Sequence, residues 1–590
     1  VSIRWDGTDL KEYIKVEGIT VYGFAYNEHH LLSDVPTAAE KKPSKASIIL
    51  RAPKGPYALA QINNDIYIVT VPFIGAEATL INVSDPEAAA FPSKKLTEIG
   101  GQFPSWSHDG KTVYWSIGNA FFAYNIPAAM ALEKAAEKEE KEKEGEEEDS
   151  SAYEPKEIRV RVAENRDIPK GSYLLTNATL ITMEGNEIIQ NGGVWVENNR
   201  IKQVGSVDSM SVPKSVYRID VSGKYILPGF ADTHAHMWPA WDLHKNENWM
   251  YAANLAYGVT TTRDPQTGTT DVLTYADRVK SGALIGPRIY STGPGVGFWG
   301  YNIKSLEHAR NVLRQYSEYY NTKTIKMYLT GNRKHRQWII QAAKEQKLMP
   351  TTEGGLDFKL NLTQILDGYP GHEHSFPIYP LYTDFISFVA QSKTAYTPTL
   401  LVSYGGPWAE NYFYATENVQ NDPKLNRFTP KSELDAKSRR RNAGWFMKEE
   451  YVFEDHAVFV NELVKAGGIA GVGSHGQLQG LGYHWELWSM QSGGISTHDA
   501  LKVATLLGSE AIGLAKDLGS IKKGKLADLI ILNKNPLDDI RNTNSLYYVI
   551  KNGRVYDAET LDEVYPNPKK FGKKSWQESV PINLPGIKSE

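Results

Sequence analysis

From about residue 225 onward, short apolar runs alternate with longer segments of helical periodicity. The apolar runs predict strands, and the segments between the early runs predict helices at 246–257, 271–282, 305–320 and 334–347. Eight strands are predicted in this way, at 225–236, 258–265, 287–293, 324–328, 348–353, 371–374, 395–400 and 469–475. If these strands form a barrel, functional side chains lie at their C-terminal ends.

Two histidines, His234 and His236, end the first of these runs. Side chains at i and i+2 of a strand point the same way, so both imidazoles can reach one metal ion. Imidazole suits Zn and similar divalent ions. The pair therefore predicts a metal site at the end of the first strand.

The sequence around this pair, Leu227-Pro228-Gly229-Phe230-Ala231-Asp232-Thr233-His234-Ala235-His236, resembles the first-strand signature of the amidohydrolase superfamily. The segment Gly519–Leu532 is similar to the closing segment of that family. The resemblance covers roughly 170–560 and is nearest to the prolidase-like and imidazolonepropionase-like branch. It implies an α/β fold, a (β/α)8 TIM barrel with a composite β-sandwich, and a metal-dependent hydrolase.

Alternating apolar positions between Tyr173 and Val204 predict the first half of that sandwich. The resemblance implies that two remote segments complete one sheet around the barrel. We therefore expect the first sandwich half at 170–225, the barrel at 226–517, and the second sandwich half with a tail at 518–590.

The first 126 residues carry a different pattern. Pro104–Trp115, with its Asp109-Gly110 turn, resembles the WD40-like repeat of TolB-type β-propellers. A looser copy begins at Ala52, and Trp5-Asp6-Gly7 resembles a truncated third. Two to three blades cannot close a propeller of four to eight, so residues 1–126 are expected to form a partial all-β propeller segment. A second polypeptide or a missing N-terminal segment would complete it.

Composition and charge exclude several kinds of partner and site. Between Glu133 and Asp149 ten acidic residues face four lysines, which predicts a charged linker at 127–169. The formal net charge of −4 argues against a nucleic-acid partner, and no apolar run is long enough to span a membrane. With no cysteine, disulfides and thiolate metal sites are excluded. We expect a homo-oligomer and a periplasmic or secreted protein whose leader is absent from this chain.

Further metal ligands follow from the resemblance. Lys326 ends the fourth predicted strand, where the family often has a lysine carboxylated by CO2 that bridges two metals. His374 matches the sixth-strand ligand, and His372 shares its face by i, i+2 spacing, so it is the alternative, or both bind. The expected cofactor is one or two divalent ions, Zn first, with Mn or Fe as alternatives.

Two positions depart from the family pattern. The fifth strand offers Thr351 where the family has histidine, and Glu353, two residues on, is an oxygen ligand or catalytic group that could substitute. The eighth strand offers His475 where the family has an aspartate. An imidazole can act as ligand or as general base, and both roles stay open for His475. His484 could share its role.

A long insertion at about 402–455 follows the seventh strand and emerges at the catalytic face. Its aromatic residues predict a substrate lid or an oligomer contact. Arg439-Arg440-Arg441 could bind a substrate carboxylate, although such a run is more often solvated.

The leading hypothesis is a hydrolase that cleaves a C–N bond of a small-molecule or short-peptide substrate by a metal-activated water. One alternative is a binding protein of the cell envelope with a degenerate barrel site. Another is an esterase or lactonase that uses the same metal site.

Overall fold

The computed structural model describes residues 3–20, 43–72, 77–142, 153–297, 303–328, 331–438 and 446–577. The chain divides into two compact units. The first comprises Val1–Ala163, Val296–Lys323 and Met327–Met349, and the second comprises Glu164–Gly295, Thr324–Lys326 and Pro350–Glu590.

The N-terminal part of the first unit is built of β-strands. The strands are β1 Ile14–Thr20, β2 Pro43–Lys45, β3 Ile48–Arg51, β4 Tyr57–Ile62, β5 Asp65–Thr70, β6 Thr79–Asn82, β7 Ser93–Lys95, β8 Gln102–Trp106, β9 Thr112–Ile117, β10 Ala120–Asn125 and β11 Lys156–Arg159. They form sheets in the orders β2-β1-β6, β3-β4-β5-β7 and β8-β9-β10-β11. The two four-stranded sheets are antiparallel and have the strand number of a propeller blade. Their relation to propellers stays a prediction.

The segment 127–169, predicted as a charged linker, contains regular elements in its described parts. A helix, Ile126–Glu142, covers its beginning, because the alanine-rich stretch after Ile126 has high helix propensity. Strand β11 also lies in this range and pairs with β10, with Ala120 opposite Arg159. The most acidic part, 143–152, lies outside the described residues.

The remaining strands follow in chain order. They are β12 Ser172–Ile181, β13 Ile188–Glu197, β14 Arg200–Ser206, β15 Tyr217–Asp220, β16 Tyr225–Pro228, β17 Phe230–Asp232, β18 Val259–Asp264, β19 Arg288–Ser291, β20 Val296–Gly297, β21 Thr324–Tyr328, β22 Met349–Glu353, β23 Gly371–Glu373, β24 Ala395–Thr397, β25 Ile469–Ala470, β26 Leu529–Leu532, β27 Leu546–Lys551, β28 Arg554–Asp557 and β29 Glu563–Tyr565.

Helices alternate with the central strands. The helices are α1 Ile126–Glu142, α2 Trp249–Ala256, α3 Asp271–Lys280, α4 Leu306–Arg314, α5 Arg333–Glu345, α6 Phe358–Asp367, α7 Thr383–Ser392, α8 Ala409–Thr416, α9 Pro423–Phe428, α10 Lys431–Ser438, α11 Phe453–Lys465, α12 Leu481–Ser492, α13 Thr497–Lys502 and α14 Gly508–Ala511. Within the described ranges, no helix combines the length and the apolar character needed to cross a membrane.

The central strands run parallel, in the orders β17-β18-β19 and β20-β21-β22-β23-β24-β25. Asp232, at the end of β17, forms a parallel bridge with Val472, just after β25. This mixed α/β arrangement is consistent with a TIM-barrel-type domain, in which the strand ends that carry functional residues lie on one face.

One nine-stranded sheet combines strands from both ends of the second unit. Its order is β14-β13-β12-β16-β26-β27-β28-β29, with β15 paired to β12. The two predicted sandwich halves thus contribute to the same sheet. Ile226 and Ile531 face each other across the β16–β26 pairing, and both are fully buried.

The first apolar run is two strands, not one. Tyr225–Pro228 pairs with β26, whereas Phe230–Asp232 pairs with Val259 and its neighbours in β18. Gly229 separates them at a close contact, since a Cβ there would lie 2.2 Å from the Thr260 hydroxyl. His234 and His236 therefore follow the end of a strand of three residues.

Candidate metal centre

Hydrogen bonds join the loop that carries His234 and His236 to the loop that carries His475. Asp232 Oδ1 accepts hydrogen bonds from the backbone N–H groups of His234 and Ser474, each at 3.1 Å. The backbone N–H of His475 donates to the carbonyl of His234 at 2.7 Å. These bonds place the residues after β17 and after β25 side by side.

Three imidazoles converge at this point. His234, His236 and His475 each offer one ring nitrogen, and these atoms all lie within 4.8 Å of one another. The Nε2 atoms of His234 and His236 are 3.1 Å apart. Ligand nitrogens of a tetrahedral zinc site lie roughly 3.3 Å apart, given Zn–N bonds of about 2.0–2.1 Å. The spacing thus fits one divalent ion.

These imidazoles are neutral near pH 7. Burial, followed by the charge of Lys326, lowers the pKa of His236 to about 4 and the pKa of His234 well below its usual value. Burial and the neighbouring histidines also hold the pKa of His475 well below its usual value. Neutral imidazole is the form that binds metal, so the donor set suits a cation.

A buried carboxylate orients His234. Glu373 Oε2 lies 2.5 Å from His234 Nδ1, and Arg263 Nη1 donates to Glu373 Oε1 at 2.6 Å. Burial alone would raise the pKa of Glu373, but the charges of Lys326 and Arg263 outweigh burial and hold it well below its usual value. An ionised Glu373 keeps the His234 proton on Nδ1 and leaves Nε2 free for a metal.

A second group of charges lies beside the three histidines. Glu353 Oε2 pairs with Lys326 Nζ at 2.9 Å, and Glu353 Oε1 lies 2.9 Å from His374 Nε2. Burial opposes ionisation of Glu353, yet His374 and Lys326 outweigh it and hold its pKa well below the usual value. Thr399 Oγ1 lies 2.6 Å from His374 Nδ1 and fixes that ring.

His374 and His475, both expected as possible ligands, have different neighbours, and their roles stay predictions. His374 Nε2 faces Glu353, whereas His475 is the histidine grouped with His234 and His236 among the described residues. His374 remains close, with its ring centre 5.2 Å from that of His234. Lys326 lies in the same site as an ammonium paired with Glu353.

Three other predictions from the sequence concern His372, His484 and Arg439-Arg440-Arg441. The ring of His372 is buried and packs 4.8 Å from that of Phe376, and its role as an alternative ligand stays a prediction. His484 bonds Thr543 and the carbonyl of Tyr257 through its two nitrogens, so it does not share the role of His475. Arg439-Arg440-Arg441 lies outside the described residues.

Sequence reasoning missed the residues that support the ligands. Arg263 and Glu373 were not singled out, and Thr351, noted only as the missing histidine, accepts a hydrogen bond from Arg263 Nη2 at 2.5 Å. A signal was present, because Arg263 ends the β-branched run Val259–Thr262, and a buried charge there needs a partner.

Aromatic side chains line the space next to the histidines. Tyr404, from the insertion, stacks on His374 with ring centres 5.3 Å apart. Trp238 stacks on His236 at 6.0 Å and is half exposed, and Trp241 lies 6.4 Å from Trp238. In contrast, Phe413 of the insertion is buried against Trp485.

Comparisons with known proteins identify a similar family and similar sequences. Residues 445–556 match the model described as the amidohydrolase family. A 5-methylthioadenosine/S-adenosylhomocysteine deaminase of Bacillus anthracis is 45% identical over 62 residues, which are 10% of this chain and 14% of that enzyme. The chain thus matches about one seventh of the length of these curated relatives.

Solved structures extend the likeness to the fold. A molinate hydrolase has a TM-score of 0.52 and 19% identity over 66% of this chain and 96% of that chain. A putative prolidase from Bifidobacterium longum has a TM-score of 0.50 and 23% identity over 69% of this chain and 97% of that chain. The expected mixed α/β fold is confirmed at this level. Residues 445–556 are thus similar to the amidohydrolase family, and the fold is similar to the folds of a putative prolidase and a molinate hydrolase.

Proposed function

We propose that this protein is a metal-dependent hydrolase that cleaves the C–N bond of an amide, peptide or cyclic amide. The observation that carries the proposal is the convergence of neutral His234, His236 and His475 where parallel strands end. The amidohydrolase-family segment and the prolidase-type fold support it. In this proposal residues 226–517 form a closed (β/α)8 barrel.

A divalent ion held by His234, His236 and His475, Zn before Mn or Fe, would supply Lewis acidity towards the scissile carbonyl and the attacking water. Glu353 accepts a proton from that water, as an ionised carboxylate beside the three histidines. His374, 2.9 Å from Glu353, receives that proton from Glu353 and passes it to the leaving nitrogen, which returns both groups to their starting forms. Uncarboxylated Lys326 orients Glu353 through its ammonium group. Carboxylation of Lys326 stays a prediction and would remove this ammonium.

The aromatic side chains indicate the kind of substrate. Trp238 and Tyr404 stack on two of the site histidines and leave flat apolar faces beside them. Such faces bind rings well, so the proposed substrate carries a proline ring or an aromatic group next to the scissile bond.

The test begins with metal. The purified protein is analysed for Zn, Mn and Fe, and then assayed against acyl-dipeptides and X-Pro dipeptides before and after reconstitution. Substrate-dependent turnover that needs the metal and is lost in His234→Ala supports the proposal. A fully reconstituted protein without turnover on any amide rejects it.

Two alternatives to amide hydrolysis are a binding protein and an ester-cleaving enzyme. His234 and His236 turned apart would favour a binding protein over an enzyme. Their Nε2 atoms are instead 3.1 Å apart, which supports the enzyme. Esters and lactones use the same site chemistry, so the assay panel includes an ester matched to each amide.

A further inference from the structure

A cavity lies in the second unit, away from the residues of the metal centre. It is open to solvent and has a volume of about 360 Å³, within the size range of small-molecule sites. It lies between the loop before β19 and the C-terminal strands. Its walls include Asp167, Leu284, Lys551, Arg554, Lys574 and Trp576.

The carboxylates of this cavity already have cationic partners. Arg554 holds Asp167 through Nε and Nη2, at 2.8 and 2.7 Å, and holds Glu563 through Nη1 at 2.7 Å. Glu247 pairs with Lys574 at 3.2 Å. These acids are therefore not available to a further cation.

Two cations of the lining, Lys551 and Lys569, have no such partner, since among the described residues no carboxylate lies within 4.0 Å of either ammonium group. Lys569 is exposed, whereas Lys551 is only 9% exposed. The neighbouring Asp528 is held by Arg288 at 2.5 and 3.0 Å and by the backbone N–H of Asn552. Burial lowers the pKa of Lys551 to about 8, so it still carries a charge at pH 7.

A buried charge without a counterion is unfavourable. An anion in the cavity would provide the missing partner, with Lys551 as its contact. The wall also has an apolar part, with Leu284 and Trp576, so a ligand with an apolar body fits better than a bare ion.

We propose that this cavity binds a small organic oxyanion, a carboxylate or phosphate ester with an apolar body, through the ammonium group of Lys551. This site is separate from the proposed metal-dependent hydrolysis.

The test measures binding of phenyl phosphate, benzoate and inorganic phosphate to the full chain by calorimetry and by thermal shift. Lys551→Met removes the charge and keeps the length of the side chain. Lys573→Met is the matched control, because Lys573 is exposed in the same C-terminal segment and does not line the cavity. His234→Ala separates this site from anion binding at the metal centre.

Phenyl phosphate or benzoate is expected to bind the wild type, Lys573→Met and His234→Ala with equal affinity. Lys551→Met is expected to bind that probe about 10- to 100-fold more weakly, because it loses a charge-assisted hydrogen bond. Lys551→Met is also expected to unfold at the same or a higher temperature without ligand, so lost binding is not lost folding. Equal binding to Lys551→Met, loss of binding in His234→Ala, or no binding to the wild type overturns the proposal. If inorganic phosphate binds as tightly as the organic probe, the proposal that the ligand has an apolar body is overturned.

Discussion

At the scale of single residues, buried charges decide which ring nitrogens are free in the metal centre. Glu373 accepts a hydrogen bond from Nδ1 of His234, and Thr399 contacts Nδ1 of His374. Arg263 in turn balances the charge of Glu373 within the core. The orientation of each ligand ring therefore depends on the residue that hydrogen-bonds to its other nitrogen.

Glu373→Gln is expected to weaken metal affinity by about 10–100-fold, because the amide keeps the shape but loses the charge that orients His234. Competition between the protein and a chromogenic chelator measures this. Glu345→Gln, an exposed change at the end of α5, is the control and keeps the wild-type affinity. Unchanged affinity in Glu373→Gln would contradict this role.

His475→Asn is expected to lose metal, because His475 lies within ligand distance of His234 and His236. Elemental analysis of the purified variant checks this. If the variant keeps its metal and turnover falls by about 10²–10⁴-fold, His475 is instead the general base. Full metal content with full activity would give it neither role.

His484 is expected to affect stability and not metal binding. Burial lowers its folded pKa to about 3, so below pH 6.5 the unfolded chain takes up a proton that the folded chain excludes. The folded state therefore loses about 2 kcal/mol between pH 7 and pH 5 from this group. In His484→Gln, the fall in Tm of metal-free protein from pH 7 to pH 5 should shrink. An unchanged fall would contradict this assignment.

At the scale of elements, Gly229 lets one apolar run serve two sheets. Pro228 ends the pairing with β26, and Phe230 begins the pairing with β18. The crossover is tight, because the Thr260 side chain fills the space beside Gly229. Strand β17 and the histidines that follow it thus depend on a residue without a side chain.

Gly229→Ala is expected to destabilise the second unit by about 1–3 kcal/mol, the usual cost of overpacking. Thermal or urea unfolding measures the change. Gly205→Ala is the matched control, since its new Cβ would meet only Ser209 Oγ, at 3.6 Å. Equal stability of the two variants would show that the contact with Thr260 relaxes freely.

At the scale of the whole molecule, the first unit joins N-terminal strands to helices from the middle of the chain. The ring of Phe122 in β10 lies 5.9 Å from that of Tyr319, and the guanidinium of Arg159 lies 4.0 Å over the same ring. Gly118 approaches the Tyr319 carbonyl so closely that a Cβ would lie 2.5 Å from it. The N-terminal sheets therefore cover the segment after α4.

A chain shortened to residues 164–590 is expected to lose stability, because the buried face of Tyr319 and its neighbours becomes exposed. A lower Tm and more aggregation than in the full chain would show this. Phe122→Ala tests the same contact in the full chain, and Phe103→Ala, at an exposed position, is the control. A shortened chain with the wild-type Tm would mean that the N-terminal strands add nothing.

The sequence by itself determined the local elements. The predicted strand at 324–328 coincides with β21, and helix 271–282 differs from α3 by two residues at one end. The pairing of His234 with His236 also followed from the sequence. Periodicity and spacing are local properties, and burial of one face is enough to impose them.

Only the tertiary structure decided which residues meet. Glu373 is 139 positions from His234, and no local pattern encodes their contact. His374 and His475 both have left-handed backbone conformations, with φ of 73° and 58°, at the ends of the strands. The alternation of side chains along a strand does not extend to such residues. Ring direction there is therefore set by partners such as Glu353 and Thr399, which the fold brings from other strand ends.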